Sequence, residues 1–198
     1  MAMQLILASR SPARAGLLRA AGYAFSSAPS DLEEPALAPG VRIDDHVTAL
    51  ARRKAEAVSP LHPRSFVIGC DTAVDFEGAA IGKASDAEDA VRILRLLSGR
   101  THRLVTGLCV LASRGEERAS AIRQGADAAW VTLRPWDETR IREYVRTVKP
   151  MGYAGAYALQ ADGAAIIERI EGDPSTIVGL PVTLLARFLS ELGYAGAP

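Results

Sequence analysis

Cysteine is nearly absent from this chain: Cys70 and Cys109 are the only two in 198 residues. Each sits in an apolar, strand-like run, which points to buried, reduced thiols in a reducing compartment and away from a disulfide framework or a zinc site. Histidine is equally sparse, with His46, His62 and His102 scattered and no His/Cys cluster. An excess of one charge is missing too. Lys plus Arg equals Asp plus Glu at 23 each, so no global field draws nucleic acid or an anionic membrane. Any polyanion site must therefore be a local cluster. No apolar run approaches the ~20 residues of a membrane span. Met1 to Leu7 is too short, and too quickly followed by Ser9-Arg10-Ser11, to read as a signal peptide, so a cytoplasmic location is expected. Internal repeats, low-complexity tracts and composition breaks are absent. So are a GxxxxGK[ST] loop and a GxSxG elbow, which excludes a P-loop NTPase and a hydrolase of that elbow type. Ser9 has no evident base beside it to make it a nucleophile.

What is present is an ordinary soluble composition, 48% hydrophobic and 23% charged, at a length that suits a single domain over residues 1–198. Its most informative stretch runs from Phe66 to Lys83. Phe66–Val74 is apolar almost without interruption, the pattern of a strand buried on both faces. That run contains Asp71, and the chain returns shortly afterwards with Gly82-Lys83. Ligands bind at the carboxyl ends of such strands. A carboxylate there either caps a turn or pairs with a metal, a cation or a polarised water.

Around this segment the chain alternates strands and helices. Gln4–Ala8 reads as a strand, followed by a helix with Ser11 as N-cap, Pro12 in its first turn and Gly22 at its end. Tyr23–Ala28 reads as a second strand, and Pro29–Gly40 as an acidic, Pro-rich loop carrying Asp31, Glu33 and Glu34. A helix opens at Asp44 or Asp45 and runs to about Val58. Glu77-Gly78 marks a tight turn. Asp86–Leu97 is an amphipathic helix ended by Ser98-Gly99. His102–Ala112 and Ala126–Leu133 are long strands, and Asp137 caps a short helix. After the Gly-rich Met151–Gly163 come a strand at Ala164–Ile170 and a last helix beyond Gly179-Leu180-Pro181. The alternation predicts an α/β fold with a mixed twisted sheet flanked by helices.

Four features converge on a polyphosphate. Ser9-Arg10-Ser11 with Arg14 lies where a strand gives way to a helix; free N–H groups and the helix dipole favour anions there, and guanidiniums add bidentate contacts. An ordinary capped helix is the alternative. Lys54 lies on the apolar stripe of Val47, Leu50, Ala51 and Val58, so it either snorkels outward or reaches into a site. Asp71 and Glu34, with Glu33 or Asp31, form an oxygen-only set suited to Mg²⁺ or Mn²⁺. Spacing does not separate that from a solvated acidic loop. Lys83 either neutralises charge on a phosphoryl group or is simply exposed near a hairpin.

Several blocks follow one another in the order of a known family: Leu5-Ile-Leu-Ala-Ser-Arg-Ser-Pro-Ala-Arg14, Leu50-Ala-Arg-Arg-Lys54-Ala, Ile68-Gly-Cys-Asp71-Thr72, Gly82-Lys83, Leu97-Ser-Gly99 with His102 and Thr106-Gly107, Ala154-Gly-Ala-Tyr-Ala-Leu-Gln160, and Ile170-Glu-Gly172 through Val178-Gly-Leu-Pro181. In these the chain resembles the Maf family of nucleoside triphosphate pyrophosphatases. The resemblance implies a fold related to inosine triphosphate pyrophosphatases, two lobes around a central cleft, and commonly a homodimer. It also implies hydrolysis of a nucleoside triphosphate to the monophosphate and pyrophosphate with a divalent metal, Mg²⁺ or Mn²⁺. Carried over by position, Asp71 matches the general base, and Ser9, Arg14, Lys54 and Lys83 match phosphate contacts, beside Arg10. Glu34 matches an acidic residue that handles metal or water.

Thr72 and Gln160 match the branch that acts on dTTP and UTP, where an amide can pair with a pyrimidine edge. Ala13 stands where that branch usually has Arg, Tyr153 where Lys is frequent, and Ala84 where Pro usually follows Gly-Lys. The readings set against this one are a 7-methyl-GTP pyrophosphatase, a phosphatase releasing phosphate stepwise, and a non-catalytic nucleotide-binding regulator of cell division.

Overall fold

Alternate residues along the first strands face opposite ways, and both directions are apolar. β1 (Gln4–Leu7) sends Leu5 and Leu7 to one face of the sheet and Ile6 to the other. β3 (Ser65–Phe76) does the same with Phe66 and Ile68 against Val67, and β5 (Thr101–Ser113) with Leu108 and Val110 against Cys109. The Leu5 face is covered by α1 (Pro12–Ala20) and α6 (Val182–Glu191) through Leu18, Leu185, Phe188 and Leu189. The Ile6 face is covered by α2 (Ile43–Val58) through Ala51, Ala55 and Val58. A sheet covered on both faces needs continuous apolar strands, which is why Phe66–Val74 shows no polar alternation.

The computed structural model describes residues 3–113, 120–159 and 161–196. The expected α/β class with a mixed sheet is present. β1 pairs in parallel with β2 (Ser26–Ser27) and with β3, in the register Leu7 to Ile68. β3 turns back antiparallel onto β4 (Ala79–Ile81) through Glu77 and Gly78, whose φ values of 54° and 83° are what a two-residue hairpin turn demands. β6 (Ala121–Leu133) pairs antiparallel with β7 (Ile167–Glu171), and the strands hydrogen-bond in the order β2-β1-β3-β5-β6-β7.

The chain forms two compact units: Met1–Asp71 with Thr106–Asp127 and Gly179–Pro198, and Thr72–Val105 with Ala128–Val178. The first holds the two apolar layers just described. The second has its own core, in which α3 (Ala87–Leu97) and α4 (Glu138–Val148) bury Leu94, Leu97, Ile141 and Val145 against Leu104, Val131 and Leu133. Both helices start on an aspartate: Asp86 accepts from the Asp89 amide at 2.8 Å and Asp137 from the Arg140 amide at 2.8 Å. A 5-residue helix, α5 (Pro174–Val178), precedes α6. Both cysteines are buried thiols, and burial pushes Cys70 up to about 11 and Cys109 up to about 12.

The second core contains a buried polar pair. His102 Nε2 lies 2.8 Å from the Tyr157 hydroxyl, and Nδ1 has no protein partner among the described residues. Burial lowers the His102 pKa to about 4, so the folded protein holds a neutral ring. The unfolded chain takes up this proton near pH 6.5, whereas the folded chain resists it down to pH 4. Stability is therefore full above pH 6.5 and falls as the pH drops toward 4, by about 3 kcal/mol in total from this residue. Urea denaturation at pH 7 and pH 4.5 checks this: His102→Gln should remove most of that pH dependence.

Candidate active site

The apolar stripe of α2 carries a lysine that does not run outward. Val47, Leu50, Ala51, Ala55 and Val58 are buried, and Lys54, on the same face, is only 8% exposed. The solvated face keeps Arg52, Arg53 and Glu56, with an Arg52–Glu56 pair at 2.6 Å. The Lys54 ammonium meets Asp71 Oδ1 at 2.6 Å and Glu34 Oε1 at 2.6 Å. Asp71 is itself 8% exposed and stands on β3 two residues after Gly69, at the last position of the first unit. A charge this buried is tolerated because it is paired and hydrogen-bonded. Of the two glutamates that the loop sequence leaves undecided, both are exposed, and Glu34 makes the pair with Lys54.

A second group adjoins the first through one carbonyl. Cys70 O accepts from Arg14 Nη1 at 3.2 Å and has a long contact from Lys54 Nζ at 3.5 Å. Arg14 also donates through Nη1 to Ser9 Oγ at 3.3 Å and through Nε to the Gly179 carbonyl at 2.8 Å. Ser9 Oγ accepts from the Ser11 amide at 3.2 Å, and Ser11 caps α1 by accepting from the Arg14 amide at 3.3 Å. Ser9, Arg14, Glu34, Lys54 and Asp71 therefore form one connected polar group within the first unit. It lies at the α1 N-terminus, where the helix dipole is positive and favours anions.

The remaining sequence-predicted residues are placed differently. Arg10 is exposed and pairs with Asp31 of the acidic loop, a surface ion pair. Ala13 is half-buried in the first turn of α1. Thr72 and Lys83 belong to the second unit. Thr72 is half-buried directly after Asp71, and Lys83 is exposed in an isolated antiparallel bridge with Ala154, supported by the Gly155 amide donating to Gly82 O at 3.0 Å. Tyr153 beside that bridge is exposed, and Ala84 is buried. Gln160 lies outside the described residues. The Gly179 carbonyl lies 165 residues from Arg14, and although Gly179 stands in one of the family blocks, nothing in the sequence pairs it with Arg14.

The arrangement fits a hard divalent cation. Two carboxylates already converge on one positive centre, the Lys54 ammonium, and such ions take one or two carboxylates with substrate phosphates completing the set. Among the described residues no group of three or more His, Cys, Asp or Glu side chains converges, so substrate or water would supply the other ligands.

The family described as Maf-like protein matches residues 4–192. A protein named dTTP/UTP pyrophosphatase from Anaeromyxobacter dehalogenans is 41% identical over 197 residues, covering 98% of this chain and 96% of that protein. Proteins of the same name from Bacillus pumilus and Thermococcus kodakarensis are 36% and 39% identical, each over 96% of this chain and 97% of their own length. Among solved structures, the Staphylococcus aureus Ham1 protein matches at 13% identity and a TM-score of 0.49, over 95% of this chain and 98% of that one.

Proposed function

The chain belongs to the Maf family, and on that premise we propose that it hydrolyses nucleoside triphosphates, dTTP and UTP foremost, to the monophosphate and pyrophosphate. The observation that carries this reading is the Lys54 ammonium held at 2.6 Å from both Asp71 and Glu34. Its hydrogen bond goes to Oδ1 of Asp71, which leaves Oδ2 as the atom to take a proton. Water attacks the α-phosphorus as its proton passes to Asp71. A bond forms from the water oxygen to phosphorus, and the bond to the oxygen bridging toward the β-phosphate breaks, releasing pyrophosphate. Arg14 and Ser9 at the α1 N-terminus are the phosphate contacts of the first unit, and Lys83 is the candidate phosphate contact of the second. Lys54 keeps the two carboxylates side by side. Mg²⁺ or Mn²⁺, held by Asp71, Glu34 and the phosphates, would supply charge neutralisation at the reacting phosphoryl group.

Thr72, next in the chain to Asp71, together with Gln160, supports a pyrimidine preference. We take both units as parts of one Maf-like domain acting as a homodimer, in a reducing cytoplasm that suits its buried free thiols.

The test is product release from dTTP, UTP, CTP, GTP and 7-methyl-GTP with Mg²⁺ or Mn²⁺. Pyrophosphate from dTTP and UTP is the expected result. Turnover confined to 7-methyl-GTP would overturn the base preference, and stepwise phosphate release would overturn the reaction. Binding without turnover would make the protein a nucleotide-dependent regulator.

A further inference from the structure

Two strand glycines stand under α2 where no side chain fits. A Cβ built on Gly69 of β3 would lie 2.0 Å from the Ala51 carbonyl oxygen and 2.9 Å from the Ala55 nitrogen. One built on Gly107 of β5 would lie 2.3 Å from the Val47 carbonyl and 2.6 Å from the Thr48 nitrogen. All the clashing atoms are backbone, so no rotamer change relieves them. Neither glycine has a positive φ, so chain conformation does not demand glycine at either position. The remaining reason for glycine inside a strand is close approach of another backbone.

That approach has a chemical result. Gly69 and Asp71 are two residues apart on β3 and so share one face of the strand. Ala51, Lys54 and Ala55 lie on the facing stripe of α2. The depth at which α2 sits therefore sets the distance between Lys54 and Asp71. Real Cβ contacts essentially never fall below 3.0 Å, so an alanine at 69 must open the 2.0 Å contact by a full ångström or more. A 2.6 Å hydrogen bond displaced that far is lost.

We propose that Gly69 and Gly107 are positioning residues: the strip without Cβ atoms that they form on β3 and β5 seats α2 deeply enough to hold Lys54 against Asp71. The activity arm rests on the proposed pyrophosphatase reaction, whereas the geometric arm does not.

The chain has only three lysines, Lys54, Lys83 and Lys149, and the latter two are exposed. Limited acetylation read by mass spectrometry therefore reports Lys54 against two internal standards. In the wild type, Lys54 should label more slowly than both. In Gly69→Ala, folded by circular dichroism, it should lose that protection while Lys83 and Lys149 label as before. Turnover should fall about a hundredfold through kcat, with KM little changed. A merely structural glycine would lower the melting temperature but leave Lys54 protected in the folded protein. Protection retained in folded Gly69→Ala overturns the proposal. Should that variant not fold, Ala51→Val, which crowds the same seat from the helix side, should partly expose Lys54; unchanged protection there overturns it equally. A wild type without pyrophosphatase activity would sink the functional reading and leave the labelling result to decide this one.

Discussion

Asp71→Asn should lower kcat for pyrophosphate release by about 10²–10⁴, the range for loss of a positioned general base. The substitution keeps the shape of the side chain but removes its negative charge, and with it the capacity to take a proton, the ion pair to Lys54 and the anionic oxygen proposed for the metal. Lys54 retains Glu34 at 2.6 Å, so its charge is not stranded, and the melting temperature should change little. KM should also change little, because Arg14 and Ser9 remain joined through Nη1 and Oγ. Steady-state assays with dTTP check all three expectations, and full turnover by the variant would remove Asp71 from the mechanism.

Lys54→Met should damage the fold more than Asp71→Asn does, because the two partners of the ammonium are unequal. Glu34 has a side chain 47% exposed and returns to water at small cost. Asp71, with a side chain only 12% exposed, stays behind as a buried carboxylate without its cation. Breaking a buried pair from one side costs about 3–5 kcal/mol. Chemical denaturation should show a loss of that size alongside the loss of activity. The double variant Lys54→Met/Asp71→Asn should regain most of the stability and none of the activity, since the stranded charge is gone. Additive losses in the double variant would mean that the pair is not coupled.

Legibility in the sequence followed how local the cause was. The cap Asp137, the Glu77-Gly78 turn and the apolar run of β3 are readable, because each rests on a few adjacent residues, whereas Asp86, read as the first residue of its helix, is its N-cap. Lys54 is legible because a helix has a period that reveals a charge on the wrong face. Glu33 and Glu34 could not be separated, because a loop has none. The expected strand Tyr23–Ala28 reduces to Ser26–Ser27, since Tyr23 turns inward to pack its ring at 6.1 Å from Tyr194. β6 begins at Ala121, earlier than Ala126, and its polar first half hides a strand that is only partly covered. α2 starts at Ile43, with Asp44 and Asp45 in its first turn, not as its cap. The stretch expected to begin a strand at Ala164 is 3₁₀ up to Ile166. Contacts such as His102 with Tyr157 or Arg14 with Gly179 join distant positions, and no spacing rule reaches them.

The first unit is stitched from both extremes of the chain, which imposes an order in time. Leu5, Leu7 and Leu18 are covered by Leu185, Phe188 and Leu189, and Arg14 is fixed by the Gly179 carbonyl. At a synthesis rate of roughly 5–20 residues per second, the covering helix trails the first strand by on the order of ten to forty seconds. During that interval the Leu5 face has Leu18 of α1 to lie against but lacks Leu185, Phe188 and Leu189 of α6. A chain halted before Gly179 already contains Ser9, Lys54 and Asp71, yet it has neither the clamp on Arg14 nor the lid over Leu5 and Leu7. A chain at that stage thus lacks the Gly179 carbonyl that fixes Arg14, a residue of the proposed phosphate site.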